Sequence, residues 1–158
     1  MKLSIFAVLM FLASSAAMAS NPYWLEGMTA QSHEITVYRN ASCGCCKGWI
    51  EHLKEHNFEV TDVTVDDVDS FKRQFNVPPQ AASCHTAMVD GLVVEGHVPA
   101  QDIKAALTGD GDVRILTVPA MPSGTPGMDF PGAPSNDFHV YSIDDDGQAA
   151  VFNSYSNY

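Results

Sequence analysis

The chain has 158 residues, and its 19 Asp and Glu against 8 Lys and Arg give a formal net charge of −11 at pH 7. That balance excludes a nucleic-acid partner, which needs clustered Lys and Arg to neutralise phosphates, and it repels anionic lipid. With 46% hydrophobic residues the chain is long enough to build one domain with a core of its own.

Met1-Lys2 leads into an apolar run from Leu3 to Leu12 and then to small residues ending Ala17-Met18-Ala19. This is the pattern of a cleaved export signal over 1–19. The apolar run falls well short of the roughly 20 residues needed to span a bilayer, so the expected product is a soluble monomer without membrane insertion, periplasmic in a Gram-negative source. Residues 20–33 read as a mobile leader.

Ile35, Val37 and Tyr38 mark a first strand over Glu34 to Arg39, which delivers Cys43-Gly44-Cys45-Cys46. From Cys46, the apolar positions Trp49, Ile50 and Leu53 follow the spacing of one helix face, and Asn57 ends the helix. Phe58 to Val65 alternates as a second strand. A short helix over Val68 to Phe75 stops before Pro78-Pro79. Cys84 to Val89 and Leu92 to Val94, joined by Asp90-Gly91, form a hairpin. Pro99 opens a helix with Ile103, Ala106 and Leu107, which Gly109 closes. The order β-α-β-α-β-β-α is that of a thioredoxin-like α/β domain, expected over 34–109. The remaining residues, 110–158, form an extension. It contains a strand over Val113 to Val118, an ordered Pro/Gly-rich loop over Pro119 to Pro134, and a closing hairpin of Phe138 to Ile143 with Ala149 to Phe152.

Four cysteines in an exported protein would ordinarily make two disulfides. Here three stand within four residues, and the Cα atoms of Cys45 and Cys46 are only about 3.8 Å apart, short of the usual disulfide range. A reactive site fits this spacing better than a structural staple. Cys43 and Cys46 stand at C-x-x-C spacing before a helix, where free N–H groups and the helix dipole favour thiolates. Cys45 is a competitor in disulfide exchange but an asset for a soft metal such as Cu(I). Cys84-His85, at the start of the third strand, faces the thiol loop in such a fold. Ser83 occupies the place where redox thioredoxins carry a cis-proline.

The segment Tyr38 to Trp49 with its C-x-C-C, together with Val77-Pro78, Ser83-Cys84-His85-Thr86, Glu95-Gly96-His97-Val98-Pro99 and Val118-Pro119-Ala120-Met121-Pro122 to Gly127-Met128, resembles the CopG-like periplasmic copper-resistance proteins. The resemblance covers nearly the whole mature chain. It implies a thioredoxin-like domain with a C-terminal extension that contributes to a copper site, in which cysteine sulfurs bridge several copper ions. It also implies a role in copper tolerance through interconversion of Cu(I) and Cu(II). Carried onto this sequence, the thiol positions are Cys43, Cys45, Cys46 and Cys84, with His85 adjacent.

Met121 and Met128 are further candidates because thioether sulfur suits Cu(I), and His139 is a candidate because it opens the strand after the loop. His52 and His56, four apart on the first helix, read as a solvated face. His97, after Gly96 and before a helix, reads first as a turn residue and second as one that approaches the site, and His33 belongs to the leader. Two other activities fit the same residues: thiol–disulfide exchange on proteins through Cys43 and Cys46 as the catalytic pair, and simple carriage of Cu(I) to an efflux system or redox partner.

Overall fold

The computed structural model describes residues 21–158; the expected export signal lies outside the described residues. Among the described residues, seven strands form one sheet in the order β2-β1-β3-β4-β5-β6-β7. In chain order these are β1 His33–Arg39, β2 Phe58–Thr64, β3 His85–Val89, β4 Leu92–Glu95, β5 Ile115–Thr117, β6 Phe138–Ile143 and β7 Ala149–Tyr155. The helices are α1 Gly44–Glu55, α2 Val68–Gln74 and α3 Ala100–Thr108. The expected β-α-β-α-β-β-α order is therefore present, within a mixed α/β architecture. β1 runs parallel to β2, and β4 to β5; the other pairs are antiparallel.

Alternation along the strands divides the core between the two faces of the sheet. Ile35, Val37, Ala87, Val89, Leu92, Val94 and Leu116 pack with Trp49 and Leu53 of α1 and Ile103 of α3. Val93 and Ile115 point the other way, into a smaller cluster with Val77, Ala81 and Ile143. The hairpin turn is made by Asp90 and Gly91 with φ of 48° and 88°, the left-handed pair that a two-residue type I′ turn requires. It fixes the register Thr86↔Glu95 through Val89↔Leu92.

Two expectations are corrected. The stretch 20–33 is anchored from Asn21 onward: Pro22–Leu25 forms a 3-10 turn, and Trp24 is fully buried among Phe138, Tyr155 and Tyr158. Its indole donates to the Gly124 carbonyl at 3.0 Å. A large aromatic with one polar atom needs such a partner when buried, and the extension supplies it. His33 is likewise not in a leader but opens β1, bonded to Asp90 at 2.9 Å.

His52 and His56 are buried rather than solvated. Positions 49, 52, 53 and 56 form a single i, i+3, i+4, i+7 stripe, so both rings follow Trp49 and Leu53 inward. The Ala100 amide donates to His52 Nε2 at 3.0 Å, and His56 Nε2 lies 2.6 Å from the Trp24 carbonyl. The pair ties α1 to the start of α3 and to the N-terminal turn.

Candidate metal centre

The chain leaves β1 at Arg39, whose buried guanidinium donates to both carboxylate oxygens of Asp62 on β2, at 2.8 and 2.6 Å, and to the Asn40 carbonyl at 3.1 Å. Bidentate pairing fixes direction as well as distance, so the following turn starts from a rigid point. Asn40 closes that turn. Its side-chain oxygen accepts from the Ser42 amide and hydroxyl at 3.0 and 2.6 Å, and its carbonyl accepts from the Cys43 amide at 3.1 Å. Cys43 then flanks the first turn of α1, while Cys46, at the inner side of that turn, is fully buried.

Cys43 and Cys46 are joined by a disulfide with Cα atoms 5.4 Å apart, and Cys45 and Cys84 are free thiols. Each bridged sulfur has a free one beside it. Cys45 Sγ lies 3.6 Å from Cys43 Sγ, and Cys84 Sγ lies 3.6 Å from Cys46 Sγ. All four sulfurs fall within 4.8 Å of one another.

Cys84 belongs to a second group with two buried imidazoles. His85 Nδ1 is 3.2 Å and His97 Nε2 is 3.1 Å from its sulfur. The Pro126 carbonyl accepts from His97 Nδ1 at 2.8 Å. A carbonyl has no proton to give, so Nδ1 carries the proton and Nε2 presents its lone pair to Cys84. Burial lowers the pKa of both rings, His85 the more strongly, with His97 and Lys72 adding to the effect at His85. Both are therefore neutral at pH 7, the form in which imidazole binds metal. Burial, reinforced by Cys45, pushes the Cys84 thiol up to about 12, so a metal bound there must displace its proton.

The segment carrying Cys84 is held from below. Glu95 Oε1 accepts from the Ser83 amide at 2.6 Å and from Lys72 Nζ at 2.6 Å, and Oε2 accepts from the Thr86 hydroxyl at 2.7 Å. From above, the extension covers the site. The Ser83 hydroxyl donates to the Ala120 carbonyl, and the Ala120 amide donates to the Ala82 carbonyl at 3.2 Å. Gly127, at φ +80°, lies so close to α1 that a Cβ there would sit 2.4 Å from the Trp49 nitrogen and 2.7 Å from the Cys45 carbonyl oxygen. Only glycine lets the loop approach the thiol helix this closely.

A family model described as "Protein of unknown function, DUF411" matches residues 81–128. Two solved structures are similar over most of the chain. One, titled "Copper resistance protein copG- Form 2", is 41% identical, covers 80% of this chain and 100% of its own, and has a TM-score of 0.76. The other, "Copper resistance protein copG- Form 1", is 43% identical, covers 77% of this chain and 96% of its own, and has a TM-score of 0.73. The chain belongs to the CopG copper resistance protein family. No curated protein matches it. The matched segment 81–128 holds Cys84, His85 and His97 together with the loop that covers them.

Of the residues singled out in this CopG-family sequence, Cys43, Cys45, Cys46, Cys84 and His85 converge. His139 lies outside both groups: its exposed ring bonds to the Ser154 hydroxyl on β7 at 2.8 Å. Met121 is 50% exposed, next to the Ala120 that bonds Ser83. Met128 follows Gly127 and takes part in the loop's own hydrogen bonds with Gly124 and Thr125. His97, which the sequence reads first as a turn residue, joins the converging residues at Cys84. Its signal was the hairpin register: two rungs beyond Thr86↔Glu95, Cys84 stands opposite His97.

Proposed function

We propose that this CopG-family chain is a periplasmic copper-binding protein of copper resistance that takes up copper ions as its substrate and interconverts Cu(I) and Cu(II). The observation that carries the reading is the convergence of three other sulfurs and two imidazole nitrogens on the Cys84 sulfur. Once the Cys43–Cys46 bridge is reduced and the thiol protons are displaced, Cys43, Cys45, Cys46 and Cys84 make a soft donor set suited to Cu(I), and shared thiolates can bridge more than one ion. His85 and His97 add borderline nitrogen donors that tolerate Cu(II). The residues thus fit copper in either state better than a hard cation. Trp49, tilted against His85 with ring centroids 4.3 Å apart, and the Pro126 carbonyl against His97 pack on the two buried imidazoles, while Cys43, Cys45 and Cys84 are only half-buried.

The test is metal analysis of the fully reduced protein reconstituted without oxygen. More than one equivalent of copper per chain, reduced sharply in Cys45→Ser, supports the reading. A single tightly bound zinc, or no metal, overturns it.

A second reading, thiol–disulfide exchange on proteins through Cys43 and Cys46, is favoured by the disulfide at the head of α1. It requires insulin reduction that survives loss of Cys45 and Cys84. Activity that disappears with either of those residues counts against it.

A further inference from the structure

Resting on the copper-holding reading, we infer that the Cys43/Cys46 dithiol is the internal electron source of the site, and that the Cys84, His85 and His97 group is the receptacle that keeps copper once those electrons have been spent.

The two donor groups share Cys84 and nothing else. Closing the Cys43–Cys46 bridge removes two of the four sulfurs as thiolates, since a disulfide sulfur already carries two covalent bonds and is a poor ligand. The same bridge leaves Cys84, His85 and His97 untouched, with the free Cys45 alongside. One group therefore exists only while the dithiol is reduced, and the other exists in both states. Among the cysteines, Cys43 and Cys46 are the pair the fold has paired, with Cα atoms 5.4 Å apart, inside the ordinary disulfide range. Cys45 and Cys46 are sequence neighbours, which lie too close for an ordinary bridge.

The step balances without an outside reagent other than the copper. Two Cu(II) ions each accept one electron and become Cu(I). The Cys43 and Cys46 sulfurs each lose one electron, their S–H bonds break, one S–S bond forms, and two protons leave to water. Bound Cu(I) then has the Cys84 sulfur and the neutral Nδ1 of His85 and Nε2 of His97 as donors, a mixed set that holds copper after the sulfur cluster is lost. The oxidised chain thus has a smaller copper capacity than the reduced one, and the dithiol state sets how much metal is retained.

The experiment uses the full mature protein in two preparations, fully reduced and with the 43–46 disulfide intact, both free of oxygen. Copper(II) sulfate is added, Cu(I) is read with a chromogenic chelator after denaturation, free thiols are counted, and linkages are mapped by peptide mass. The reduced protein should give two Cu(I) per disulfide formed, with the new linkage at 43–46. The disulfide form should give none. Titration with Cu(I) supplied directly should fill more sites in the reduced than in the disulfide form, with the latter still holding copper.

Cys43→Ser should slow the reduction by about tenfold or more, whereas His139→Ala, on the far hairpin, should match the unmodified chain. Linkages scattered over other pairs, equal reduction by Cys43→Ser, or Cu(II) bound with all thiols intact would overturn the electron-source role. Failure of either preparation to hold directly supplied Cu(I) would instead overturn the copper-holding reading and the receptacle with it.

Discussion

His97 Nε2 lies 3.1 Å from the Cys84 sulfur, and it faces that sulfur with a lone pair because the Pro126 carbonyl holds the Nδ1 proton at 2.8 Å. A loop carbonyl 29 residues further along the chain therefore orients a ring two residues past the end of β4. His97→Ala should weaken copper binding by at least about tenfold, or roughly 1.4 kcal/mol, while His139→Ala should leave it unchanged. Competition against a chelator of known affinity measures both, and equal affinities for the two variants would sink the assignment of His97.

Gly127→Ala should open the site. The added methyl would meet the backbone of Trp49 and Cys45, neither of which can give way, at a φ of +80° that L side chains rarely adopt. A cost of roughly 1 to 3 kcal/mol is expected from the strained conformation, together with faster copper loss to a chelator. Thermal unfolding and the release rate check the two effects separately. Gly132→Ala, also at positive φ but with open space around its Cβ, should cost stability without speeding release.

The buried Lys72–Glu95 pair should behave as one unit. Lys72→Met leaves the fully buried Glu95 carboxylate with only the Ser83 amide and Thr86 hydroxyl and is expected to cost about 3 kcal/mol or more. Adding Glu95→Gln should recover part of that loss, because the uncompensated charge is gone. Urea unfolding of both single variants and the double variant gives the coupling. Strictly additive losses would show that the pair does not act as proposed.

Acid should destabilise the metal-free protein. Burial lowers the pKa of His52 and His85 well below 6.5, and those of His56 and His97 less strongly. Below about pH 6.5 the unfolded chain binds protons at these positions that the folded chain refuses, so stability is full above that pH and falls as pH drops. Each strongly shifted ring contributes roughly 1.4 kcal/mol per pH unit in that window. Urea midpoints at pH 7.5 and 5.5 measure the fall, and His52→Gln should make the slope shallower.

Trp24→Ala should destabilise the fold by roughly 3 to 5 kcal/mol, since the indole is buried among Phe138, Tyr155 and Tyr158 and bonded to Gly124. A change near zero in the unfolding midpoint would mean that the N-terminal turn is not part of the core.

Periodicity and turn chemistry by themselves determined the strand and helix order, the Asp90-Gly91 hairpin and the cluster of three thiols, because these depend on contacts between near neighbours in sequence. The hairpin register even held His97 opposite Cys84, and the stripe 49, 52, 53, 56 held the burial of two histidines. Both patterns are legible in the sequence, but the average behaviour of histidine, which favours turns and solvated faces, points the other way. Only the tertiary structure decided that the extension adds β5, β6 and β7 to the same sheet, that Trp24 returns to the core, and that His139 bonds to Ser154 outside both donor groups while Pro126 and Gly127 pack against His97 and the thiol helix. Those outcomes depend on packing between residues up to 100 or more positions apart, as at Trp24 and Gly124, and no local pattern encodes which distant surfaces will meet.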